Sequence, residues 1–201
     1  MIEVCNLKGA FVKNTIKILF SLMILLLATS CVSVKKINDL EPVYVTNTKQ
    51  INVLPPQHIK ENVDEVMLLT ADMGNEVFTT PVYVSADKDG IYMTILTDFG
   101  IEIGSIWYDG QVADMDCSMF PKNLKAVYLI NEFQNGFYKS EALKKNLENS
   151  KLIFEENQKG DTIVRTVKSG NKIIENIVIS KNSVEISNIL RGYKITLLKS
   201  E

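Results

Sequence analysis

Few side chains in this sequence could carry out chemistry, and their spacing excludes most of it. The single histidine, His58, stands beside Pro55-Pro56, far along the chain from any nucleophile it could activate in a nucleophile–base–orienter set. Asp109, Asp114 and Asp116 crowd one short stretch, but a calcium loop needs an internal glycine turn and a closing bidentate glutamate, and neither follows. They read as the wet face of a strand. Zinc lacks its Cys and His ligands, and no glycine-rich phosphate loop joins a strand to a helix. The reading is of a protein that is not an enzyme and holds no cofactor or metal.

The remaining reactive groups are thiols. Cys31 closes the run Leu26-Leu27-Ala28-Thr29-Ser30-Cys31, behind an apolar stretch and the cations Lys8, Lys13 and Lys17. That stretch, Ile18 to Leu27, is ten residues long, too short for the roughly 20 that span a bilayer, and small residues before a cysteine suit a processing enzyme. Residues 1–30 are therefore read as a bacterial lipoprotein signal peptide, with Cys31 the acylated first residue of the mature chain. An uncut anchor, or a cut near Ser30 without lipid, is the other outcome. Cys5 leaves with the signal, so Cys117 has no intramolecular partner in an oxidising compartment. It reads as a small buried hydrophobe.

Removing the signal leaves about 170 residues, enough for one domain with a sizeable core. A net charge of −2 gives no basic face, so nucleic acid is not an expected partner, and attachment to a membrane must come from the N-terminal lipid. Residues 31–62 alternate polar and β-branched side chains around Pro42 and Pro55-Pro56 and read as a lipidated tether, part of which, Pro42 to Thr46, could pack on the domain edge.

From Val63 the pattern changes to short β-rich runs: Glu65–Asp72, Glu76–Ser85, Ile91–Thr97, Ile101–Tyr108 and Gln111–Cys117. Their connections have hairpin length, and Asp109-Gly110 supplies the positive φ angles that a two-residue turn requires. A helical stretch opens at Pro121 and Lys122 and runs to about Gln134, and a second covers Ser140–Asn149. Strands resume at Lys151–Glu156, Asp161–Lys168, Lys172–Ser180, Ser183–Ser187 and Tyr193–Lys199. The expectation is a mainly β (α+β) domain over residues 63–201, five strands, two helices and five strands in a meandering antiparallel sheet. Several strands are apolar on both faces: Ile91, Met93 and Ile95 oppose Tyr92 and Leu96. Either helices and loops cover both faces, or the sheet curls until one face lines a cavity.

The stretch from Thr94 through Asp98-Phe99-Gly100 to Ile106, then Trp107-Tyr108-Asp109-Gly110, and the late run Arg191-Gly192-Tyr193-Lys194-Ile195-Thr196-Leu197 resemble an uncharacterised bacterial lipoprotein family. That family is similar to the outer-membrane lipoprotein receptor LolB and its periplasmic carrier relative LolA. The resemblance implies a strongly curved, open antiparallel half-barrel with two helices across its concave face. It also implies a cavity that receives the acyl chains of a lipid or lipoprotein handed over by a periplasmic carrier, and placement of that cargo in the outer membrane. Phe99 matches the apolar residue on the hairpin that assists delivery; an aromatic folded back over its own strands is the plain alternative.

A lipid carrier needs walls that are apolar yet easily repacked. Met67, Met93, Met115 and Met119, with Phe120, Tyr128, Phe133 and Phe137, supply such surface; a closed core of the same residues is the competing reading. Val32 is not the aspartate that retains lipoproteins at the inner membrane of enteric bacteria, so the expected location is the periplasmic face of the outer membrane. The alternative function is an envelope scaffold or accessory subunit, linked through the resembled family to aryl polyene lipid biosynthesis.

Overall fold

The computed structural model describes residues 40–121 and 124–199. The signal peptide, Cys31 and the expected helix start at Lys122 lie outside them. Two short strands, β1 (Val43–Tyr44) and β2 (Gln50–Ile51), pair with each other. Ten more follow: β3 (Val63–Asp72), β4 (Val77–Ala86), β5 (Ile91–Leu96), β6 (Glu102–Tyr108), β7 (Ala113–Cys117), β8 (Ile153–Lys159), β9 (Thr162–Ser169), β10 (Lys172–Ile179), β11 (Ser183–Asn188) and β12 (Tyr193–Lys199). Between β7 and β8 run the helices α1 (Ala126–Phe137) and α2 (Ser140–Asn149).

The ten strands form one antiparallel sheet in the order β7-β6-β5-β4-β3-β12-β11-β10-β9-β8, and it does not close. Each half is a run of hairpins, and β3 and β12 join them in the middle, Leu69 opposite Leu197. The sheet must be strongly curved, because α1 packs against β6 and β7 on one arm and β10 and β11 on the other. Laid flat, β6 and β10 would stand roughly 29 Å apart at about 4.8 Å per strand, well beyond the length of about 18 Å that the 12 residues of α1 give at about 1.5 Å each. Only an open half-barrel brings both arms to one helix. α2 packs chiefly on β8, burying Leu143 and Leu147.

Inward positions of successive strands alternate as a half-buried sheet requires: Met67, Val82, Val84, Met93, Ile95, Ile106, Ile177, Ile186 and Leu197 enter one core with Ile130 and Phe133 of α1. Two glycines permit close approaches. A Cβ on Gly104 would meet Cys117 Sγ at 2.6 Å, and one on Gly136 would meet Val184 Cγ1 at 2.7 Å. Cys117 is half-buried and packs against the core from the position opposite Gly104.

Two sequence readings need correction. Residues 40–62 are not a free tether, because Val43, Val45, Ile51, Val53 and Ile59 are buried in the common core. The segment is a strap that packs on α1. The Gln134 side chain accepts from Leu54 N at 2.9 Å and donates to Leu54 O at 2.7 Å, and the Tyr108 hydroxyl donates to the same carbonyl. The first helix, in turn, begins at Ala126 rather than at Pro121: an i,i+3 turn from Leu124 N to Pro121 O precedes it, and Lys125 is extended. It runs beyond Gln134 to Phe137, because the buried Arg165 guanidinium of β9 caps its end, donating to Asn135 O at 2.6 Å and Tyr138 O at 2.9 Å.

Candidate functional site

The expected groove residues fall into two groups. Met67, Met93, Phe120 and Phe133 are buried in the core, and Met115, Tyr128 and Phe137 pack against it. Met119 does not join them. It lies two residues past the end of β7 with 47% of its surface exposed. Within the cluster, Phe133 and Phe137 stack with centroids 4.3 Å apart, and Phe120 meets Phe78 edge-on. Tyr128 carries the Arg191 guanidinium over its ring at 5.8 Å. Arg191 also donates to Tyr44 O at 2.5 Å, tying the strap to the turn before β12.

A cleft of about 340 Å³ opens where the edge strand β7 meets the start of α1. Leu40, Val112, Met115, Leu124 and Val127 give it apolar walls, and the ion pair of Lys125 with Glu41 spans its exposed rim. Of the expected groove residues, Met115 is the one that lines it. Ligand pockets run from roughly 300 to 1,000 Å³, so the cleft stands at the small end of that range.

Between α1 and β10 the interior is partly polar. Glu132 of α1 and Glu175 of β10 are both buried and within hydrogen-bonding reach of one another. Tyr193 donates its hydroxyl to Glu132 Oε1 at 2.5 Å, and Asn135 donates to Glu175 Oε1 at 3.0 Å. No other described N–H or O–H reaches Glu132 Oε2. Burial, and then the neighbouring Glu132, push the Glu175 carboxyl well above the usual range; burial also raises Glu132 and Tyr193. Protonation of Glu175 would supply a donor to the neighbouring Glu132 carboxylate. Sequence reasoning missed this pair, and neither residue had a signal beyond an acidic side chain on an inward position.

The Asp98-Phe99-Gly100 turn is held by hydrogen bonds, Thr97 N to Ile101 O and Gly100 N to Thr97 O, each 2.8 Å, with Gly100 at φ +76°. Phe99 on its tip is 92% exposed. It does not fold back over its strands. Asp114 and Asp116 are exposed on β7, and the Asp109 carboxylate accepts the N–H groups of Gln111 and Val112, which hold it below its ordinary range. His58 serves the backbone: its carbonyl accepts Lys139 N at 2.9 Å.

Residues 65–201 match the model of DUF3261, described as a protein of unknown function. The chain belongs to the DUF3261 family. No curated protein matches it. The DUF3261 match takes in nearly all of the ten-stranded sheet, both helices, the carboxyl pair, Phe99 and most of the cleft. The strap over α1 precedes it.

Proposed function

We propose that this DUF3261 protein is a lipoprotein of the periplasmic face of the outer membrane, anchored through acylated Cys31, that takes up the acyl chain of a lipid or lipoprotein and helps to place it in the membrane. The cleft between β7 and α1 carries this reading: at the free edge of a curved sheet it opens between Leu40, Val112, Met115, Leu124 and Val127, with Gln111, Asp114 and the Lys125–Glu41 pair on its polar side. A chain of about 14 methylenes at about 0.8 kcal/mol each gains roughly 11 kcal/mol on leaving water. Transfer between membrane and cleft is then nearly even, and the better-packed site sets the direction. The likeness to LolB supports a periplasmic carrier as the donor.

The test is binding of a fluorescent fatty acid to residues 37–201, which form a compact unit with the whole sheet and core, together with mass spectrometry of lipid carried by the native protein. Saturable binding and a co-purifying acyl species are expected. Absence of both defeats the carrier reading and favours the second one, an envelope scaffold or accessory subunit. That reading has its own support in Met67, exposed by only 1%, and in Phe133, exposed by 2%, both packed as in a filled core.

A further inference from the structure

The open sheet ends in two edge strands, β7 on one side and β8 on the other. An edge strand leaves the N–H and C=O of every second residue without a ladder partner, a template for one more strand. On β7 those residues can be named. Asp109 N donates to Val112 O across the β6–β7 turn, so Asp109 and Val112 form a hydrogen-bonded pair. Alternation along the register makes Trp107 with Asp114, and Ser105 with Asp116, the next such pairs. Ala113, Met115 and Cys117 therefore aim their backbone groups away from β6. The Met115 N–H agrees, since it donates to the Asp114 carboxylate at 2.8 Å.

The two faces of this edge differ in chemistry. Ala113, Met115 and Cys117 pack their side chains toward the core, and Asp114 and Asp116 stand exposed on the outer face. On the core side the cleft runs along the same edge, with Met115 across from Leu124 and Val127. Residues 91–121 contain Asp98, Glu102, Asp109, Asp114 and Asp116 and no lysine or arginine. The flanking cations are Lys88, between Asp87 and Asp89 in the β4–β5 turn, Lys122, outside the described residues, and Lys125, paired with Glu41. Among the described residues Asp114 and Asp116 enter no ion pair. β8 is the contrary case: its Glu155 and Glu156 are paired with Lys168 and Arg165, it carries Lys159, and α2 packs on it.

We infer that β7 is the docking edge for an extended cationic strand of a partner protein, in which lysine or arginine alternates with aliphatic residues. Every pairing in this sheet is antiparallel, and the added strand follows suit. Its aliphatic residues, opposite Ala113, Met115 and Cys117, exchange backbone hydrogen bonds with them and lay their side chains over Met115 at the mouth of the cleft. Its cations fall on the outer face beside Asp114 and Asp116. The Asp114 carboxylate then yields the Met115 N–H to an incoming carbonyl and takes a cation in exchange. A second copy of this chain is a poor occupant, because its edges bring the same aspartates or Glu155 and Glu156. The competing reading is that the two aspartates only guard the edge against aggregation. The inference goes beyond lipid handling and does not depend on it.

Fluorescence anisotropy of a labelled peptide of alternating lysine and valine, titrated with the compact unit 37–201, tests it. Saturable binding is expected. N-methylation of the valine amides, which face β7 in this pairing, should abolish it, and N-methylation of the lysine amides should not. Asp114→Asn combined with Asp116→Asn keeps an acceptor for Met115 N and should weaken binding about tenfold, with the melting temperature unchanged. Glu155→Gln, on the other edge, should bind as the parent does. Equal binding of the two methylated peptides would mean attraction by charge alone and overturns the inference, as does an asparagine variant that binds like the parent. A parent that ignores the peptide, with an asparagine variant that self-associates, overturns it in favour of the guarding role.

Discussion

Two carboxyl groups buried side by side resist carrying both charges, and burial and Glu132 push the Glu175 carboxyl well above the usual range. Its affinity for a proton is higher in the folded chain than in the unfolded one, where it titrates near 4.3. The folded state therefore binds the extra proton, and stability is fully present below about pH 4 and is lost as pH rises toward the elevated folded value. Glu175→Gln keeps a donor toward Glu132 Oε2 and an acceptor for Asn135. We expect the variant to match the parent near pH 4 and to melt higher near pH 8, by roughly 2–4 °C for about 1 kcal/mol; an equal pH dependence in both proteins would show that Glu175 is charged in the fold. None of this was legible in the sequence. Acidic residues are almost never fully buried without a partner, and the partner here comes from another element.

At the scale of elements, α1 depends on two contacts that its amphipathic pattern does not announce. Arg165 shares a face of β9 with Ile163 and Val167, an inward position where a cation is unexpected, and it caps the helix from within, paired with Glu156 at 2.7 Å. Burial would raise the Glu156 carboxyl, but Ser140 and Arg165 hold it below the usual range. Gly136 lets the helix settle on Val184. Alanine is the better helix former by about 1 kcal/mol, so the outcome of Gly136→Ala decides between propensity and packing. We expect a net loss of about 1–3 kcal/mol by urea unfolding, partly restored by adding Val184→Ala. The strands were readable within a few residues, since period-two alternation and glycine turns are local signals. The strap was misread for the opposite reason: Val43, Val45, Ile51 and Val53 do alternate, but Pro42 and Pro55-Pro56 suggest a linker, and what buries these side chains is a helix some 80 residues later, as the bond between Leu54 and Gln134 shows.

For the molecule as a whole, about ten strands in an antiparallel meander were legible from hairpin-length turns. Strands apolar on both faces fitted a covered sheet as well as a curled one, so the curvature was expected from the family resemblance alone, and the β3–β12 seam had no local signal. Whether the hollow is filled was not legible either, because the same methionines and phenylalanines serve a core or a groove. The cleft between β7 and α1 is a modest opening, and Met115 is the expected groove residue that lines it. Met115→Trp should fill the cleft beside Val127 and Leu124. If acyl chains enter there, fatty-acid affinity falls about tenfold, or 1.4 kcal/mol, while the melting temperature stays near that of the parent. Unaltered affinity would move the entrance elsewhere.

The pairing of β12 with β3 fixes when this architecture can be finished. Ten strands arise as two local meanders, each able to zip up quickly by short-range contacts, but they share a single long-range seam. The strand that closes it is β12, made after every other strand of the sheet, so residues 193–199 become a keystone. Until they arrive, the newborn protein exists as two half-sheets with their central edges bare, and a truncation before Tyr193 would leave it so.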